Sequence, residues 1–152
     1  FQYICGVPCS YFKKFLIYLS EKKNKLQLKH ILATREDEAI GIASGIAFSS
    51  KTVIAYMQNS GLGNIGDALT SLVQLYELPM LLLVSYRGLE SDRDFPEHSI
   101  MGEINEPLLK VLNIPYWILS EENWQQELTK AITNMNKNSL PVAILIKDGV
   151  LS

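Results

Sequence analysis

Histidine, cysteine and net charge are all scarce in this chain, and each shortage removes a class of function. Of 152 residues, only His30 and His98 are histidine and only Cys5 and Cys9 are cysteine. No Cys/His cluster has the spacing of metal ligands, so no metal site is expected within the chain itself. The two cysteines are too few and too close together for a disulfide framework. With no secretion signal they read as reduced thiols of a cytoplasmic protein. The formal net charge of −2 offers nothing to nucleic acid or to an anionic membrane surface. The longest apolar run, around Pro79 to Val84, is far too short to span a bilayer. Repeats, linkers and low-complexity segments are absent. So are the G-x-G-x-x-G fingerprint and the Walker lysine, which argues against nucleotide binding.

What remains is ordinary globular composition, 47% apolar and 20% charged, enough for one domain over residues 1–152. Short β-rich runs alternate with longer amphipathic stretches. Strands are predicted at 2–5, 30–33, 52–56, 80–84, 116–119 and 142–146, the last apolar at every position as in a strand covered on both faces. Helices are predicted from Ser10, which reads as an N-cap, burying Phe12, Phe15, Leu16 and Leu19. Others are predicted over 36–48, from Asn64 to about Tyr76, over 103–112 with Pro107 near its first turn, and over 121–137. Lys22 to Lys25 read as a solvated helix end. The fold class is therefore α/β: a doubly wound, mostly parallel six-stranded sheet with helices on both faces. Phe1 opens almost directly into a strand where a helix would ordinarily precede it, so a segment is expected to be missing from the amino end.

Three features carry possible chemistry. Glu36 stands at the carboxyl end of a strand and opens a helix rich in small residues. An acid there also has a purely structural reading, because it complements the helix dipole. Gly41 and Gly45 cost about 1 kcal/mol each inside a helix, which calls for close approach to another helix. The turn Asn59-Ser60-Gly61-Leu62-Gly63-Asn64 reads equally as a tight strand-to-helix connection. The irregular stretch from Ser85 to Met101 is long for a compact domain, and loops of that length are commonly functional. It carries Arg87, Arg93 and His98, whose plain reading is solvated or structural. Cys9 has no neighbouring histidine to activate it.

Together these features resemble the pyrimidine-binding domain of thiamine-diphosphate-dependent decarboxylases. The resemblance rests on Glu36-Asp37-Glu38-Ala39 with Ala43-Ser44-Gly45-Ile46-Ala47, on Gly6-Val7-Pro8, on Asn59 to Asn64, and on Leu78-Pro79-Met80 before an apolar strand. It spans nearly the whole chain. The enzymes acting on phosphonopyruvate and sulfopyruvate are the ones most resembled, through Tyr56 to Asn64, Leu69-Thr70-Ser71-Leu72 and Arg87-Gly88. Asp94-Phe95-Pro96-Glu97-His98 favours the first, a small separate domain the second; phosphonopyruvate is taken as the leading substrate and the sulfopyruvate alpha subunit as its alternative.

The resemblance implies that Glu36 hydrogen-bonds the aminopyrimidine ring of thiamine diphosphate and activates the cofactor, with Gly61, Gly63 and Asn64 close to it. It further implies that Arg87, His98 and Ser10 meet a small anionic 2-oxo acid, His98 also donating a proton. Many relatives place an acid where Ser10 stands, a departure that leaves capping as the favoured role of this serine. The Gly-Asp-Gly…Asn signature that holds Mg²⁺ and diphosphate is missing, Asp148-Gly149 being only a fragment of that kind. A diphosphate-binding beta subunit or carboxyl-terminal domain is therefore expected as partner, in a hetero- or homo-oligomer. An acetolactate-type carboligase and a non-catalytic interaction domain are the competing functions.

Overall fold

The computed structural model describes residues 1–22, 25–89 and 94–151. Lys23, Asn24 and Arg93, about which expectations were stated, lie outside the described residues.

Six strands form one sheet: β1 (Tyr3–Gly6), β2 (Lys29–Leu32), β3 (Val53–Gln58), β4 (Leu81–Ser85), β5 (Tyr116–Leu119) and β6 (Val142–Ile146). Their order is β2-β1-β3-β4-β6-β5, and every pairing is parallel. Alternate residues of the central strands feed two cores. Cys5, Ala55, Met57, Leu82, Val84 and Leu145 face one side; Ile4, Tyr56, Leu81, Leu83 and Ile144 face the other. The first core is covered by α2 (Glu36–Phe48), by α3 (Gly66–Ala68) with the π-helical stretch Leu69–Gln74 that continues it, and by α4 (Ser99–Val111). The second is covered by α1 (Lys13–Glu21) and α5 (Trp124–Asn138). Between these two, Phe15, Ile54, Leu83, Trp124 and Ile146 line an open apolar groove of about 530 Å³.

Four local outcomes differ from expectation. Ser10 begins a 3₁₀ turn (Ser10–Phe12) ahead of α1, and no side chain caps that turn; its hydroxyl is engaged elsewhere. The stretch after Asn64 is not a plain α-helix but passes into π geometry at Leu69, a wider turn that residue propensities do not encode. α4 starts four residues before Glu103, so Pro107 lies in the helix interior. There its missing N–H leaves the carbonyl of Glu103 without its helical partner. In its first turns the helix lies close against the loop after β4: a Cβ on Gly102 would lie 2.3 Å from the carbonyl oxygen of Gly88. Finally, Gly41 and Gly45 meet nothing within 4 Å, so the close helix approach expected of them is not made among the described residues.

The strand order reverses between β1 and β3, since the chain leaves β1 for β2 on one side and later enters β3 on the other. Ligands of open parallel sheets bind beyond the carboxyl ends of the strands at such a point. Gly6 ends β1 there; a Cβ on it would sit 2.0 Å from the carbonyl oxygen of Tyr56, so only glycine lets the two strands end side by side.

Candidate active site at the carboxyl edge of the sheet

The loops after β2 and β3 bring three of the expected residues together. α2 begins at Glu36, with extended Arg35 as its N-cap. Glu38 reaches back one turn, accepting hydrogen bonds from the Thr34 amide and hydroxyl at 2.7 Å each, which fixes the start of the helix and so the origin of the Glu36 side chain. From β3 the chain passes through the 3₁₀ turn Asn59–Gly63, which lays Gly61 beneath that side chain. A Cβ on Gly61 would lie 2.3 Å from Glu36 Cγ and 3.1 Å from Oε1. Asn64 closes the turn and donates from Nδ2 to Glu36 Oε2 at 3.0 Å. One carboxylate oxygen is thus held by Asn64, while the other lies over the glycine. Gly63 is different: it is exposed, and nothing stands within 4 Å of where its side chain would be.

Because Gly61 has no room for a methyl group, Gly61→Ala is expected to displace the Glu36 carboxylate by about 1 Å and to cost about 10²-fold in turnover. Folding should be preserved, since the clash is with a half-exposed side chain that can swing aside and not with backbone. Turnover within a few-fold of wild type in a properly folded Gly61→Ala chain would show that the Glu36 position does not matter.

A second group forms where the loop after β4 folds back over the turn after β1. Arg87 lies two residues beyond β4, and Asp94 grips it from the side: Nε to Oδ2 at 3.1 Å and Nη2 to Oδ1 at 2.5 Å. Asp94 also accepts from the amides of Gly88 at 3.0 Å and Phe95 at 2.8 Å, and from the Tyr11 hydroxyl at 3.3 Å. Those guanidinium and amide hydrogen bonds hold its carboxyl well below the usual carboxylate range. Tyr11 stacks its ring on the guanidinium, 4.9 Å from centroid to Cζ. Burial, reinforced by the Asp94 charge, pushes the Tyr11 phenol up to about 12. The arm of Arg87 that Asp94 does not take, Nη1, donates to Ser10 Oγ at 3.4 Å. His98 Nε2 stands 3.9 Å from Asp94 Oδ1, beyond hydrogen-bond length but within ion-pair range when the ring is protonated.

Ser10, Arg87 and His98 therefore do converge, around an acid that sequence reasoning passed over. Asp94 was quoted only as part of a run; an acid just before Phe-Pro reads as a loop residue, and its spacing of four from His98 was the one available signal. Its presence also means that Arg87 is not solvated, as its plain reading had it, but paired, so that most of its charge is already matched. Asn59 ties the two groups together: it is buried, belongs to the glycine turn, and donates from Nδ2 to the Arg87 carbonyl at 2.8 Å. Cys9 is free and part-buried; its Sγ lies 3.3 Å from Ser85 Oγ and 3.6 Å from Gln58 Oε1, which pins the turn after β1 to the ends of β3 and β4. Among the described residues no group of three or more His, Cys, Asp or Glu is placed to hold a metal ion. None of their helices is long and apolar enough to cross a membrane.

This arrangement coincides with a known domain. Residues 1–108 match the model of the thiamine pyrophosphate enzyme N-terminal TPP binding domain. The chain belongs to this family. It is similar to the sulfopyruvate decarboxylase subunit alpha of Methanocaldococcus jannaschii, with 39% identity over 145 residues, covering 95% of this chain and 83% of the relative. It is also similar to the phosphonopyruvate decarboxylase of Streptomyces viridochromogenes, with 28% identity over 153 residues, but these are 98% of this chain and only 37% of that protein. Among solved structures, a thiamine diphosphate-dependent 4-hydroxybenzoylformate decarboxylase from Rhodococcus jostii RHA1 superposes with a TM-score of 0.67 at 18% identity, over 96% of this chain and 27% of that one. That likeness confirms the fold. Both the identity and the share of the relative that is covered favour the sulfopyruvate relative, so the alternative fits better than the leading phosphonopyruvate reading.

Proposed function

We propose that this chain is the pyrimidine-binding alpha subunit of a thiamine-diphosphate-dependent decarboxylase that converts 3-sulfopyruvate to sulfoacetaldehyde and CO2. The observation that carries the reading is the Glu36 carboxylate, held by Asn64 over a glycine at the topological switch point of the sheet. Family membership supports the cofactor. The similarity to an alpha subunit across most of its length supports both the substrate and the division of labour between subunits.

The residues present fit the aminopyrimidine half of the cofactor. Glu36 offers a fixed carboxylate to a ring nitrogen, the glycine at 61 removes the side chain that would push it away, and the open space over Gly63 admits a flat ring. Asn64, by occupying one oxygen, sets which lone pairs of the other remain for the ligand. Thiamine diphosphate, when bound, supplies a thiazolium carbon that attacks a keto group and takes up the electrons released with CO2. Holding the cofactor diphosphate and Mg²⁺ falls to a partner subunit in this reading, and the complete site lies between the two chains.

Arg87, Ser10 and His98 are assigned to the substrate. A sulfonate needs oriented donors, and Arg87 Nη1 with the Ser10 hydroxyl provides them beside a histidine that adds positive charge or a proton. Asp94 prevents the guanidinium from turning away and keeps the group near neutrality until an anion arrives.

The test is to combine the chain with a diphosphate-binding beta subunit, Mg²⁺ and thiamine diphosphate, then measure CO2 release from 3-sulfopyruvate, 3-phosphonopyruvate and pyruvate. Sulfopyruvate should give the highest kcat/KM by at least about tenfold, a difference of roughly 1.4 kcal/mol. A preference for phosphonopyruvate or pyruvate would overturn the substrate, and joining of two oxo acids without aldehyde release would replace decarboxylase by carboligase.

A further inference from the structure

α4 is apolar on two opposite sides, and only one is used. Gly102, Asn105 and Leu109 are buried on the side that meets the glycine turn. On the far side Ile100, Ile104, Pro107 and Val111 follow one another at spacings of four, three and four. Ile100 is 71% exposed, Ile104 44% and Val111 78%. That repeat of three and a half residues is the seam of a two-helix coil. A solvated helix face would instead be charged.

We infer that this seam pairs with α4 of a second copy of the chain, antiparallel about a two-fold axis. The pattern is self-complementary in that orientation. Ile100 falls opposite Val111 of the other copy and Ile104 opposite its Pro107, so each apolar side chain meets another. Glu103 and Lys110 are both exposed and lie on the same flank of the seam, seven residues apart. Antiparallel helices match like flanks, so Glu103 of each copy faces Lys110 of the other, and the two-fold axis makes the contact twice. A parallel pair would put Glu103 beside the apolar flank carrying Leu108 instead. The thirteen residues of α4 span ~20 Å, so the pair belongs to the small, weak class of interface. Its first residue follows His98, so pairing braces the helix that carries the Arg87–Asp94–His98 group. The inference does not depend on the reaction proposed above.

Sedimentation of the purified full chain tests this between about 1 and about 500 μM, a range that brackets the affinity expected of a weak interface. A reversible dimer is expected, and Ile104→Glu should abolish it while leaving the circular dichroism spectrum unchanged, because Ile104 points away from the core. Glu103→Lys and Lys110→Glu should each weaken the dimer about fivefold through two like-charge contacts, and the double exchange should restore it to within about twofold. A chain that stays monomeric throughout overturns the inference. So does a dimer indifferent to Ile104→Glu, a double exchange no tighter than the single ones, or a monomer whose Ile104→Glu variant instead loses binding to the beta subunit.

Discussion

Glu36→Gln is expected to lower the turnover of the assembled enzyme by about 10²- to 10³-fold while leaving its folding stability within about 0.5 kcal/mol of wild type. Glutamine has the shape of glutamate, so the side chain still lies across Gly61, and its amide oxygen still accepts from Asn64 Nδ2, which now stands 3.0 Å from Oε2. What changes is the charge at the remaining position. In the proposed role a carboxylate would make a charge-assisted bond to a ring N–H of the aminopyrimidine and so favour the proton arrangement that cofactor activation needs. A neutral amide makes a weaker bond, or turns its NH₂ towards the ring. Glu36→Asp keeps the charge but withdraws it by one methylene, and a misplacement of that size costs about 10²-fold. The two variants therefore separate charge from reach. Cofactor affinity is the control: it should fall far less than turnover, because in the proposed assembly the partner holds the diphosphate half. A Glu36→Gln enzyme retaining more than about a tenth of wild-type turnover would mean that this carboxylate is only a helix-start acid.

That structural alternative shows how far the sequence could be read. α2, β5 and β6 fall on their expected residues, because each is a long periodic or uniformly apolar run. β1, β2 and β4 are shifted by a single residue, since their ends are set by ladder partners. Lys29, for example, joins β2 only because it pairs with Tyr3. At the site, Glu36, Gly61 and Asn64 were reached through the family resemblance and not from their own setting, and the structure brings the three together: the glycine is where the glutamate lies. Ser10 was misread as a cap because its sequence setting before a helix is the usual one for a cap, whereas its actual partner, Arg87, is 77 positions away. Asp94 was missed on the same ground. Nothing local distinguishes an acid that only ends a loop from one that gathers donors from three separate segments.

Asp94→Ala tests that gathering role, and it is expected to destabilise the fold by about 3 kcal/mol at neutral pH. The side chains of Arg87 and Asp94 are only 13% and 5% exposed, so removing the acid strands a mostly buried guanidinium. It also orphans the amides of Gly88 and Phe95 and the Tyr11 hydroxyl, all of which now donate to it. Loss of one partner from a buried pair costs more than the pair itself contributes. Hence Asp94→Ala combined with Arg87→Met should recover part of the stability, although not the amides. The pH dependence has a definite sign. The carboxyl of Asp94 is held below its unfolded value by Arg87 and the amides, so its stabilisation is fully present above the ordinary aspartate pKa of about 3.9. It declines as pH falls below that value. Urea midpoints of wild type and Asp94→Ala should therefore differ by a constant amount between about pH 5 and about pH 8, and begin to converge below about pH 4. Function follows the same geometry. Without Asp94, Arg87 is free to turn its whole fork towards solvent, so KM for the anionic substrate should rise by about tenfold or more while kcat changes less. Equal urea midpoints at pH 7 would show that Arg87 and the loop are held by something else, and would remove Asp94 from the account of substrate binding.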